Sequence, residues 1–123
     1  MRERSCTFFG HRDCPADIKK NIEDAILELI NNHGVTVFYV GNQGLFDSLV
    51  RSVLRQLQVQ FPNIRYAVVL AYMPKGKPEE YVDYSDTMLP EGIELVHPRY
   101  AIAWRNQWMI DRSDYVIAYI THN

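Results

Sequence analysis

VTVFYVGNQGLFDSLVRSVLRQL, residues 35 to 57, is the stretch on which the fold turns. Val35 to Val40 is a run of β-branched and aromatic residues, which suits a pleated strand. Gly41-Asn42-Gln43-Gly44 breaks that run, and beyond the break the apolar period changes. Phe46, Leu49, Val50, Val53, Leu54 and Leu57 recur at three and four, with Arg51 and Arg55 on the other side, the stripe of an amphipathic helix.

The alternation continues in both directions. Upstream, Ser5 to Phe9 reads as a short buried strand. Pro15 suits a helix's first turn, and Ile18, Ile22, Ile26, Leu29 and Ile30 line one helical face. Asn31-Asn32-His33-Gly34 supplies the stop. Downstream, Pro62-Asn63 ends the second helix, and Tyr66 to Ala71 (YAVVLA) reads as a third strand, apolar enough to be buried on both faces. Ile93 to Val96 reads as a short edge strand, Arg99 to Arg112 as a helix, and Tyr115 to Ile120 (YVIAYI) as a last strand. Residues 72 to 92 hold Pro74, Pro78 and Pro90, and a loop of that length in a compact domain is usually functional or mobile. Strand, helix, strand, helix, strand predicts a single α/β domain over residues 1–123 with a parallel, right-handed sheet. Three residues follow the last strand, so the fold is expected to be cut short at its carboxyl end.

Composition narrows the function classes. A formal net charge of −2 argues against a dedicated nucleic-acid binder, which carries a strongly basic face. Cys6 and Cys14 make no disulfide framework, their spacing does not suit a zinc knuckle, and no metal site is expected. No apolar run reaches the roughly 18 residues that a bilayer demands, and no signal region opens the chain, so a soluble cytoplasmic protein without membrane contact is expected.

In a parallel sheet all strands point their carboxyl ends one way, so the loops after the strands share a rim. Gly10-His11-Arg12 follows the first strand and Gly41-Asn42-Gln43-Gly44 the second. Glycines there let backbone approach a ligand, and free N–H groups at a helix start favour an anion; the plain alternative is a tight turn with nothing bound. Asp47 in the first turn opposes a phosphate placed against it, since like charges about 4 Å apart cost about 4 kcal/mol at an effective dielectric of 20. If a nucleotide binds, its phosphate is expected nearer the Gly10-His11-Arg12 loop, held by Arg12, whose guanidinium can fork two oxygens, and by the Gly41–Gly44 amides, with Asp47 on ribose hydroxyls or base nitrogens. His11 has no second histidine or carboxylate at a recognisable spacing, which makes it a ligand contact rather than a catalyst. No catalytic residue is assigned.

The third cluster is WRNQWMIDRSDYVIAYI, residues 104 to 120. Arg105 lies on an otherwise apolar helix face, where a cation wants a carboxylate, a carbonyl or a ligand phosphate as partner. Trp104 and Trp108 read as core or as contacts in a homo-oligomer, and Asp111 and Asp114 flank the turn into the last strand.

F-F-G-H-R after the first strand, G-N-Q-G-L-F-D before the second helix, and R-N-Q-W-M-I-D-R-S-D-Y-V-I-A at the end together resemble the YpsA-like branch of the SLOG superfamily, which also contains LOG cytokinin-activating enzymes and DprA/SMF proteins. The resemblance covers nearly the whole chain. It implies a Rossmann-like three-layer sandwich with a mostly parallel sheet, binding a nucleotide, a dinucleotide or a nucleotide-derived ligand at the carboxyl rim. Carried over residue by residue, it implies ligand contacts at Gly10, His11 and Arg12, at Gly41, Asn42, Gly44, Phe46 and Asp47, and at Arg105, Asn106, Met109 and Asp111. The P-G-G-x-G-T-x-x-E motif of the LOG phosphoribohydrolases is missing from this sequence, so the resemblance implies binding more than chemistry. Two other readings stand beside it. One is a hydrolase of an N-glycosidic or phosphoester bond, with Asp47 or Asp111 as acid or base, and the other is an interaction module built on Trp104, Trp108 and the tyrosine-bearing loop.

Overall fold

The structure, a computed structural model, describes residues 3–72 and 87–120. Strand β1 (Arg4–Gly10) leads through a 3-10 turn at Ala16–Ile18 into helix α1 (Lys19–His33). Then come β2 (Val35–Val40), α2 (Gly44–Gln60), β3 (Arg65–Val69), β4 (Thr87–Met88), α3 (Ala101–Arg112) and β5 (Tyr115–Tyr119). Among the described residues the strands form one sheet in the order β4-β3-β2-β1-β5, every pair parallel. Helices cover both faces, which makes the chain an α/β, Rossmann-like sandwich.

Side-chain alternation assigns the faces. Cys6 and Phe8 of β1, Phe38 and Val40 of β2, and Tyr66 and Val68 of β3 point to one side. There they meet Ile22 and Ile26 of α1 and Val50, Val53, Leu54 and Leu57 of α2. Phe8 and Phe38 stack across the two strands with ring centroids 6.1 Å apart. On the opposite face α3 lies over β1 and β2. Met109 reaches the Thr7 hydroxyl, and Trp108 meets Tyr39 edge-on at 5.6 Å. Trp108 also carries the Arg112 guanidinium 3.9 Å over its ring, and Trp104 packs against Ile93 and Ala101, so both tryptophans are engaged within the chain.

The strand expected at Ile93–Val96 is instead a 3-10 turn, Ile93–Leu95, entered from Gly92 at φ 93°. Ile93 is buried against Ala71 and Ala101 while Glu94 and Leu95 face outward, Leu95 at 86% exposure. One buried anchor followed by two exposed residues is not the period of two that a strand needs. The fourth strand lies earlier, at Thr87–Met88, within the stretch read as loop, and Leu70 N donates to Met88 O at 2.9 Å just beyond the ladder. Most of that loop, residues 73–86, lies outside the described residues. The third strand ends at Val69 rather than Ala71, although Leu70 and Ala71 stay buried. The late helix starts at Ala101 after a 3-10 turn at Pro98–Tyr100, where His97 Nδ1 accepts from Arg99 N.

None of the helices among the described residues is long and apolar enough to cross a membrane. β1 sits where the strand order reverses, with β2 on one side and β5 on the other. In open α/β sheets, ligand crevices form at the carboxyl ends beside such a reversal.

Candidate functional site

Two loops meet at that rim because glycine allows them to. Gly44, the first residue of α2, has φ 82°, and a Cβ there would stand 2.7 Å from the Arg12 Cα. Leu45 N donates to Arg12 O at 2.8 Å, so the loop after β1 is hydrogen-bonded to the first turn of α2. At the end of β1, Gly10 carries the Phe46 ring directly on its backbone, where any Cβ would meet the ring at 2.5 Å.

Between these loops and α3 opens a cleft of about 310 Å³. Of the residues the sequence points to, Gly10, Arg12, Gly41, Asp47, Arg105, Asn106 and Met109 line it. His11 and Phe46 sit beside it and face Tyr119. Phe46 stacks on that ring at 6.3 Å and His11 meets it edge-on at 6.4 Å. Gly44 shapes the wall without lining it, and Asn42 is exposed, its Oδ1 accepting from Gln43 Nε2 at 3.4 Å. Asp111 lies elsewhere, near the amino ends of the strands, with Oδ1 held by Gln107 Nε2 at 2.8 Å. A larger hollow of about 570 Å³ opens there, flanked by Glu3, Arg65, Asp111 and Arg112. Its charges are partly spoken for, Glu3 by Arg65 at 2.6 Å and Arg112 by the Trp108 ring. Its position at the amino ends of the strands, opposite the carboxyl rim where ligand crevices form, makes the smaller cleft the better candidate.

Asp47 is the electrostatic centre of the cleft. It is 9% exposed, and its Oδ2 accepts from Gln43 N at 2.9 Å. Burial pushes its pKa above the ordinary aspartate range; the Gln43 amide and the nearby guanidiniums of Arg105 and Arg51 pull part of the way back. Arg105, 2% exposed, donates from Nη1 to Val69 O and from Nε to Asn106 Oδ1, both at 2.9 Å. Burial lowers its pKa and Asp47 raises it, but a guanidinium stays charged under either influence. The two charges share the space beside Gly41, where a Cβ would stand 2.8 Å from Asp47 Oδ2 and 3.0 Å from Arg105 Nη1.

These contacts redistribute the anion-binding capacity of the rim. The Gln43 amide is taken by Asp47, and the Leu45 amide by Arg12 O. The start of α2 thus satisfies part of its own donor set, and positive charge at the cleft comes from side chains. Gln43 and Arg51 are not among the ligand contacts that the sequence motifs point to. The signal was there for Arg51: it follows Asp47 by four positions, acid before base, on one helix face.

Among the described residues no three His, Cys, Asp or Glu side chains are grouped to hold a metal ion. Cys6 and Cys14 are free thiols, both buried, with Cys6 pushed up to about 12 by desolvation. The chain matches no model of a known protein family and no curated protein.

Proposed function

We propose that this cleft binds a nucleotide or nucleotide-derived ligand, its anionic group toward Arg12 and its hydroxyls or base nitrogens toward Asp47. The observation that carries the reading is a charge inversion. In a chain of net charge −2, the lining sets two guanidiniums, Arg12 and Arg105, against the carboxylate of Asp47. Arg12 is exposed, has no side-chain partner among the described residues, and can fork an anion, whereas Arg105 is held by Val69 and Asn106 and acts chiefly as a fixed positive charge. A volume of about 310 Å³ stands at the small end of ligand sites, which favours one nucleotide unit over two. The resemblance to YpsA-like SLOG proteins points the same way.

A thermal-shift panel of adenosine, AMP, ADP and NAD tests the reading. A ligand at 100 times its Kd should stabilise the protein by about 2.7 kcal/mol. Arg12→Ala should erase the advantage of AMP over adenosine while leaving the unliganded melting temperature in place. No shift with any member of the panel would end the nucleotide reading.

A second reading rests on Asp47, a carboxyl whose pKa is raised in a cleft, the property expected of an acid or base. Hydrolysis of an N-glycosidic or phosphoester bond would then depend on it. Asp47→Asn would abolish product release from a nucleoside monophosphate while leaving binding largely intact. Asp111 does not line the cleft, so this reading rests on Asp47.

A further inference from the structure

We infer that Arg51 is the positioning residue of the cleft, tying the carbonyl of Gly41 to α2 and so holding the β2–α2 loop and the Asp47 carboxylate in one arrangement. The inference concerns the site proposed above, but most of its test needs no ligand.

Arg51 is half-buried one turn beyond Asp47, and its Nη1 donates to Gly41 O at 3.2 Å. Gly41 is the first residue after β2, so this bond joins the end of a strand to the second turn of the helix that follows it. The same loop is joined to Asp47 through the Gln43 amide. Loop, carboxylate and guanidinium therefore close a small ring of contacts: Arg51 to Gly41, Gln43 to Asp47, and Asp47 back to Arg51 by charge.

The charged groups around Asp47 come from both sides of the sheet. Arg51 belongs to α2 and approaches from the face that α2 covers, while Arg105 reaches in from α3 on the other face. Arg105 is already committed to Val69 O and Asn106, which leaves Arg51, among the described residues, as the cation bonded to the loop itself. The surroundings of Arg51 fit a placed residue rather than a solvated one. Burial lowers its pKa, with Asp47 opposing and Arg55 adding to the fall, a charge kept where desolvation disfavours it. Any Cβ at Gly41 would press on Asp47 and Arg105, so the loop has little room to shift without the carboxylate shifting too.

The experiment follows the Asp47 carboxyl by carbon-detected NMR titration and the Gln43 amide by hydrogen exchange, in the full chain without ligand. Arg51→Gln, Arg51→Lys and the exposed control Arg55→Gln are compared with wild type. Arg51→Gln should raise the Asp47 midpoint and speed Gln43 exchange about five- to tenfold, the loss of roughly one hydrogen bond. Arg51→Lys keeps the charge, so its midpoint should stay near wild type while exchange still quickens. Arg55→Gln should leave the Gln43 amide unchanged. AMP binding by calorimetry adds a separate arm, in which Arg51→Gln should weaken affinity about tenfold. If AMP fails to bind wild type while both unliganded readouts move, the nucleotide reading falls and the positioning role stands. If Arg51→Gln folds and leaves the Asp47 midpoint and Gln43 exchange as in wild type, the inference is overturned.

Discussion

A buried aspartate beside guanidiniums can titrate in either direction, depending on whether desolvation or attraction is larger. At Asp47 desolvation is larger and the native pKa lies above the unfolded one. Between those two values the native state holds more protons than the unfolded state, so stability falls as pH rises through the window, starting near the ordinary 3.8. Below the window the contribution is intact, and above the native pKa the loss is complete. Asp47→Asn should remove this slope. Urea denaturation of both proteins across the acidic range should show the stability of wild type declining relative to the variant as pH increases, and a relative gain would mean that the guanidiniums outweigh burial. Gly44 gives a second test at this scale. Alanine there must adopt φ 82° and fit against the Arg12 backbone, so Gly44→Ala should cost about 1–3 kcal/mol in the same assay.

At the scale of elements, α2 both supports the core and presents the site. Its inner face buries Val50, Val53, Leu54 and Leu57, while its first turn carries Phe46 and Asp47 to the rim. Leu54→Ala should therefore cost about 2–5 kcal/mol, as deletion of a fully buried leucine does. Val59→Ala, on the same helix but 85% exposed, should change stability by less than about 0.5 kcal/mol. Such elements are legible from sequence because their period reports their own buried face. Val35–Val40 has the same bounds in both readings, and α2 begins at the glycine that was read as the end of the break. Legibility failed at Ile93, where a short apolar run carries no period. The choice between strand and turn was made there by packing against Ala71 and Ala101, which lie outside the run itself.

At the scale of the molecule, the site belongs to no single element. Arg105 and Asp111 are in one helix and were grouped in one motif, yet six residues at 1.5 Å each separate them by roughly 9 Å along its axis. Since α3 runs from the carboxyl rim toward the amino ends, the first of the pair reaches the cleft and the second does not. The sequence by itself determined the alternation of strands and helices except for the fourth strand, the parallel sheet they imply, and the glycine-bearing loops that a common rim would gather. Tertiary structure alone decided which charges meet there. It brought Arg105 from one face of the sheet and Arg51 from the other within electrostatic reach of Asp47, and it used the Gln43 and Leu45 amides internally. The physical reason is that apolar periodicity records how deeply a residue is buried in its own element, whereas the partner of a buried charge is chosen across the sheet, by packing that no local pattern encodes.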